Sequence, residues 1–268
     1  MTPSWPCRCW KWVLTSILAV GGVAISGDRT LAQITPDGTL GTESSVVTPN
    51  VTIKELPADR IDGGAVRGAN LFHSFSQFNI RELQRVYFAN PVGVENILSR
   101  VTGMDVSNIQ GTLGVNGRAN LFFLNPNGII LGRNASLDVG GSFVATTADA
   151  IQFGKQFFFS ATNPEAPPLL TVSPSALFFN QMKRGHIENR SIAPAGVNLS
   201  GDSLFGLRVP DGQSLLLVGG DILIDGGGLH TSGGEIELIG VAGSGAVGLK
   251  IDGKNLNLSL PEDIARAN

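Results

Sequence analysis

Val218-Gly-Gly-Asp-Ile-Leu-Ile-Asp-Gly-Gly-Gly-Leu-His-Thr-Ser-Gly-Gly-Glu-Ile-Glu-Leu-Ile-Gly240 is the stretch on which the fold reading turns. Within it, Asp221 to Asp225 and Glu235 to Ile239 have similar shape, and each follows a Gly-Gly pair. An earlier relative is Gly140-Gly-Ser-Phe-Val144. Short β-forming segments at close, irregular spacing, cut by glycine corners, are the pattern of a β-solenoid. Each rung supplies strands that pair with the rungs above and below, about 4.8 Å apart. Apolar side chains stack inside, and Gly or Asn take the corners that need positive φ.

The same texture extends upstream. Val51-Thr-Ile53, Asn120-Leu-Phe-Phe-Leu124, Gly128-Ile-Ile-Leu131 and Leu215-Leu-Leu-Val218 are short, and rich in β-branched, branched-aliphatic or aromatic residues, which suits strands. Ala-Asn-Leu-Phe occurs twice, at Ala69 to Phe72 and Ala119 to Phe122. After the first 32 residues no long stretch has helical spacing, and Glu82 to Tyr87 reads as a single helical turn at most. A β-sandwich competes, but it calls for cleaner two-residue hairpin signals. Polar, Pro-rich Ala161 to Pro168 and irregular Gly185 to Ser203 read as excursions from the solenoid, and Gln33 to about Ile53 as its N-terminal cap. At roughly 20–25 residues per rung, the chain after Ala32 makes about eight to ten rungs, a body on the order of 40–50 Å long.

Composition agrees with a packed core. Hydrophobic residues make up 42% and charged residues 15%, the opposite of a disordered chain. The 35 glycines among 268 residues are nearly twice the usual share of ~7% and follow no collagen period. Net charge is −3 with no basic patch, which argues against a nucleic-acid partner. Residues 1–32 stand apart as a secretory signal. Arg8 and Lys11 precede the apolar run Trp12 to Ile25, and Thr30-Leu31-Ala32 offers cleavage after Ala32. A membrane anchor is the alternative, but the run is shorter than the ~20 residues of a span. Both cysteines, Cys7 and Cys9, lie in this signal, so the mature chain has none.

Asn108-Ile-Gln-Gly-Thr-Leu-Gly-Val-Asn-Gly-Arg-Ala-Asn-Leu-Phe-Phe-Leu-Asn-Pro-Asn-Gly-Ile129 carries the most specific signal. Asn125-Pro126-Asn127-Gly128-Ile129 is a well-made turn: Pro fixes φ, Asn125 can bond backbone two residues on, and Gly closes it. The stretch resembles the N-terminal secretion domain of filamentous haemagglutinin-type, two-partner secretion exoproteins. Of the family's two signatures, the second is intact here. The first is degraded to Asn90-Pro91-Val92-Gly93. Gly68 to Phe75, Ile97 to Gly103 and Gly140 to Thr147 also look like the family, and the resemblance covers roughly Ile34 to Phe179.

This resemblance implies an all-β, right-handed parallel β-helix, a single-stranded solenoid with an N-terminal cap and extra-helical hairpins and loops. It implies residues 33–180 as the secretion domain, with 181–268 as further rungs and a polar tail. It implies a partner as well: an outer-membrane β-barrel transporter whose periplasmic polypeptide-binding repeats recognise the domain before it threads outward and folds. The product is then secreted or held at the cell surface, an adhesin with an unidentified cell-surface or glycan ligand, or a truncated secretion domain. Asn125, Pro126, Asn127, Gly128, Ile129, Asn90 and Pro91 are either its recognition surface or only structural turns.

No catalytic, metal or cofactor site is expected. His73, His186 and His230 lack metal-ligand spacing and read as ordinary turn or surface residues. Nucleophile-elbow and phosphate-loop motifs are missing, and Asp221 and Asp225 lack the register of calcium-binding repeats. The rival is a β-helix polysaccharide-active enzyme, which needs carboxylates such as Asp138, Asp221, Asp225, Glu235 and Glu237 converging on one face.

Overall fold

The structure, a computed structural model, describes residues 1–2, 34–168, 170–180, 185–252, 255–261 and 265–267. The expected secretory signal therefore lies outside the described residues, apart from the first two. Residues from 34 onward belong to one compact unit.

Its body is a parallel β-helix with three walls. The central wall stacks six parallel strands: Asn70–Phe78, Asn96–Val101, Asn120–Leu124, Phe143–Thr146, Leu215–Gly219 and Ile236–Gly240. A second wall stacks Leu56–Gly63, Arg85–Ala89, Thr112–Asn116 and Ser136–Asp138, and higher up Leu207–Arg208 and Leu229–His230. The third stacks Ser107–Ile109, Ile129–Leu131, Ile187–Asn189 and Ile222–Ile224. Arg85–Ala89 is thus a strand where the sequence allowed a helical turn at Glu82 to Tyr87. The two Gly-Gly segments of the opening stretch are not stacked on each other. Ile222–Ile224 lies on the third wall, and Ile236–Gly240 follows one rung later on the central one.

Central-wall register explains the apolar runs. Leu71, Ile97, Leu121, Phe143, Leu215 and Ile236 form one column facing the helix interior. Their neighbours Phe72, Leu98, Phe122, Val144 and Leu216 face the other way, into a second core. That core is covered by an antiparallel sheet of Phe157–Ser160, Ala150–Phe153, Ala176–Phe179, Gly245–Asp252 and Asn255–Ser259. A strand buried on both faces loses the apolar–polar alternation of a half-exposed one.

The repeated Ala-Asn-Leu-Phe segments fall in one register, two rungs apart, with Asn96 between them. Asn96 Nδ2 donates to Asn70 Oδ1 at 3.0 Å, and Asn120 Nδ2 donates to Asn96 Oδ1 at 2.9 Å. Asn120 Oδ1 accepts from the Ser142 amide above. This ladder locks the rung register, because a one-residue slip would bury unpaired amides.

Rung number differs from expectation. Among the described residues six stack where eight to ten were expected, a length of about 25–30 Å at ~4.8 Å per rung. Ala150–Phe153, Phe157–Ser160, Ala176–Phe179, Gly245–Asp252 and Asn255–Ser259 leave the helix to build the outer sheet, and Pro194–Val197 pairs with Ser203–Phe205 in a lateral hairpin. The expected N-terminal cap is present. Ile34–Pro36 and Ala65–Arg67 run antiparallel along the first central strand, and Ser45–Ile53 runs antiparallel along Leu56–Gly63. These strands seal both first-rung edges, which would otherwise template aggregation. Among the described residues no helix is long and apolar enough to cross a membrane.

Candidate functional site

Both Asn-Pro turns are corners of adjacent rungs, and they stand at opposite ends of the central wall. Asn125 is fully buried. Its Nδ2 donates to Asp105 O at 3.0 Å and Ser107 Oγ at 2.9 Å in the rung below. Its Oδ1 accepts from the Asn127 amide at 3.0 Å, the Asx-turn expected from sequence. Gly128 N–H closes the turn on Asn125 O, with φ of +128° at Gly128. Asn127 Nδ2 donates to Gly103 O at 2.7 Å. The chain returning from the outer sheet is tied to the same turn: Gly185 N–H donates to Pro126 O and Ile129 N–H to His186 O. Pro126 and Asn127 are half-buried.

At the other end, Asn90 Oδ1 accepts the amides of Arg118 and Ala119 in the rung above, at 2.9 and 3.0 Å. Asn90 Nδ2 donates to Val94 O. Pro91, Val92 and Gly93 project into solvent, with Gly93 at φ +87°. Losing the second half of this signature therefore alters only exposed turn residues, while the inter-rung bonds rest on the retained Asn. An Asn125→Ala variant strands the buried Ser107 hydroxyl together with Asp105 O and the Asn127 amide, so we expect a loss of about 1–3 kcal/mol. Urea denaturation of the purified protein checks this.

Sequence reasoning missed a second polar centre. Arg100 is fully buried on the outer face of the central wall. Its guanidinium donates to Ser74 Oγ, Ser160 O, Thr39 Oγ1 and Glu165 O at 2.8–2.9 Å and sits 4.3 Å from the Phe159 ring centroid. Burial pushes its pKa down to about 10, with the Asp37 carboxylate acting in the opposite sense. Asp37 accepts from Thr102 Oγ1 at 2.6 Å and Ser74 Oγ at 2.9 Å. Its burial works to raise its pKa, but hydrogen bonds from Thr102, Thr39 and Ser74 outweigh that and hold it below the usual value. One network thus joins the N-terminal cap, the first two rungs and the outer sheet. The available signal was one charge inside the apolar run Ile97 to Val101.

His73 corrects the expectation of a turn or surface residue, because it is fully buried in the first central strand. Its Nδ1 meets Ser45 Oγ of the cap at 3.0 Å, its ring lies near those of Phe75 and Phe88, and its Nε2 has no partner among the described residues. His186 is exposed and His230 partly exposed, as expected. The carboxylates proposed for an enzyme are dispersed. Asp138 sits on the second wall, bonded to Lys54 at 2.6 Å and Tyr87. Asp221 and Asp225 flank a third-wall strand, with Asp225 paired to Arg190. Glu237 lies in the last central strand and accepts the Leu258 amide, and Glu235 immediately precedes that strand. A cleft of about 500 Å3 runs beside Asp138, Arg208 and Asp211. Its charges are already engaged, since Arg208 bonds Ala195 O, Val197 O and Asp211. Among the described residues no group of three or more His, Cys, Asp or Glu can hold a metal.

A capped parallel β-helix whose polar side chains are spent on corners, ladders and locks defines a scaffold class. Comparison with known proteins names the family. The TPS secretion domain model matches residues 32–268, so the chain belongs to the two-partner secretion (TPS) secretion-domain family. Members are exoproteins that cross the periplasm and are recognised by an outer-membrane transporter. Two curated relatives are both named heme/hemopexin-binding protein of Haemophilus influenzae. One, from strain Rd, is 40% identical over 72 residues, 27% of this chain and 8% of its own length. The other is 33% identical over 100 residues, 37% of this chain and 10% of its own length. The HMW1 secretion domain from Haemophilus influenzae has a similar solved fold, with TM-score 0.51 at 21% identity, covering 81% of this chain and 47% of that one. The chain thus spans about half of that structure, and the matched segments a tenth or less of the curated relatives.

Proposed function

We propose that this chain is the export module of an adhesin-type, non-enzymatic exoprotein, cleaved after Ala32 and handed to its transporter through the polypeptide-binding repeats of that partner. The family match over residues 32–268 carries this reading. Residues 33–180 hold the recognition elements, and within 181–268 the strands from Ile187 to Gly240 complete the rungs while Gly245–Asp252 and Asn255–Ser259 complete the outer sheet. The Asn-Pro turns suit recognition because they form locally. Pro fixes φ in both turns, and at Asn125 the Asx bond spans only two residues, so that turn can be presented before any rung has closed. A solenoid then grows from the emerging end rung by rung, and folding outside biases movement outward.

The exposed Pro91 and Val92 and the half-buried Pro126 separate recognition from structure. We expect Pro91→Ser with Val92→Asp, and separately Pro126→Ala, to lower export several-fold while the purified proteins keep wild-type melting. Unchanged export from both would refute a recognition role and leave the turns purely structural.

A further inference from the structure

The cap hairpin of Ser45–Ile53 and Leu56–Gly63 reaches well beyond the first rung. Its register shifts between Thr48 and Val51, where Asn50 stands at φ +56° and its amide donates to Asp59 Oδ1 at 3.0 Å. Such a bulge bends a hairpin, and here the tip lies over the outer face of the second wall. Ile53 and Ala58 are buried there against the fully buried Tyr87. Arg85 Nη1 donates to Ile53 O at 3.1 Å, and its Nη2 to the Tyr87 hydroxyl at 2.7 Å. Tyr87, Gly114 and Asp138 stack in register on the second, third and fourth strands of that wall. A side chain at Gly114 would collide with the Tyr87 ring. Glycine there lets the phenol lie across a rung and donate to Asp138 Oδ2 at 2.6 Å. Lys54, at the hairpin tip, reaches the other oxygen of the same carboxylate at 2.6 Å. The tip turn itself is strained: Lys54 and Glu55 hold φ of +52° and +66°, positions where two-residue hairpins favour Asn-Gly.

We infer that residues 50–58 form a strap, hinged at the Asn50 bulge and caught on Tyr87 and Asp138, that opens and closes while the β-helix stays folded. Contacts in a solenoid normally join neighbouring repeats only. This catch joins the first rung to the fourth, so the strap fastens only once the fourth rung is in place, and it then ties the cap and four rungs into one unit. The strained turn biases the strap toward opening. Burial of Ile53 against Tyr87 supplies the main closing force. The Lys54–Asp138 pair adds little, because its side chains are 51% and 37% exposed. A weak ion pair over a small apolar contact suits a catch that releases without unfolding the wall beneath it.

Tyr87 is the only tyrosine, and both cysteines precede Gln33. Nitration by tetranitromethane of the protein starting at Gln33 therefore reads this one side chain, at a rate set by the open population. Wild type should react far more slowly than the urea-unfolded chain. Ile53→Ala should react at least tenfold faster than wild type, and Lys54→Met about two- to fivefold faster, both with unchanged circular dichroism. Loss of the Lys54 cation by itself makes the phenol harder to ionise, so the faster rate in that variant reports opening. Glu55→Gly relaxes the turn and keeps the catch, and should slow nitration about twofold. Wild-type rates in both Ile53→Ala and Lys54→Met, or faster nitration only where circular dichroism is also lost, would overturn the inference.

Discussion

Replacing Arg100 by Met should destabilise the protein by about 3–5 kcal/mol, the cost of breaking a buried charged network from one side. Arg100 is fully enclosed, and four hydrogen bonds hold its guanidinium. Met replaces much of the aliphatic stem, so the loss is mainly polar. Ser160 O and Glu165 O lose their donor, and the Asp37 carboxylate loses the cation that offsets its field. The double variant Asp37→Asn with Arg100→Met should recover part of that loss, since the remaining groups are neutral. Urea unfolding of the four proteins in a double-mutant cycle measures the coupling. If the single Arg100→Met variant lies within 1 kcal/mol of wild type, the network is not a lock.

His73 produces the second large effect, and it depends on pH. Burial lowers its pKa from 6.5 to about 3 in the folded chain. Between those values the unfolded state binds the proton and the folded state does not, so stability falls with falling pH. The loss begins below about pH 6.5, reaches roughly 2 kcal/mol at pH 5, and is on the order of 4 kcal/mol near pH 3. Neutral imidazole meets Ser45 of the cap, so acid should loosen the cap and first rung together. In a His73→Gln variant this contribution to the stability slope between pH 5 and 7 should vanish, whatever its absolute stability. An unchanged slope in that variant would assign the acid sensitivity elsewhere.

Much of the solenoid was legible in sequence because its signals are local. Gly-Gly corners, short β-forming runs and the Asx-Pro turn each need only a few neighbouring residues. The paired Ala-Asn-Leu-Phe segments also pointed at a register, and the Asn70–Asn96–Asn120 ladder is that register. The outer sheet was not legible. Ala176–Phe179 finds its partner at Gly245–Asp252, and pairing across such a separation leaves no local pattern. Its presence nonetheless decides the burial of the central wall. Phe72, Leu98 and Phe122 alternate with interior residues, but with both faces covered the strands read as continuous apolar runs. Arg100 was overlooked for the same reason, whereas His73 points into the helix interior with Leu71 and Phe75 and is covered by the cap. A polar residue on such a strand looks like an exposed position until the covering layer is known. At the Asn-Pro turns, sequence located the residues and the Asx bond of Asn125, but burial assigns Asn125 to the framework and leaves Pro91 and Val92 exposed.

The most direct test of the central claim is export of the full chain with and without its outer-membrane transporter, following the protein in medium and periplasm. Partner-dependent appearance in the medium, starting at Gln33, is the predicted result. Release at the same rate without the partner, or retention in the periplasm when the partner is present, would contradict it.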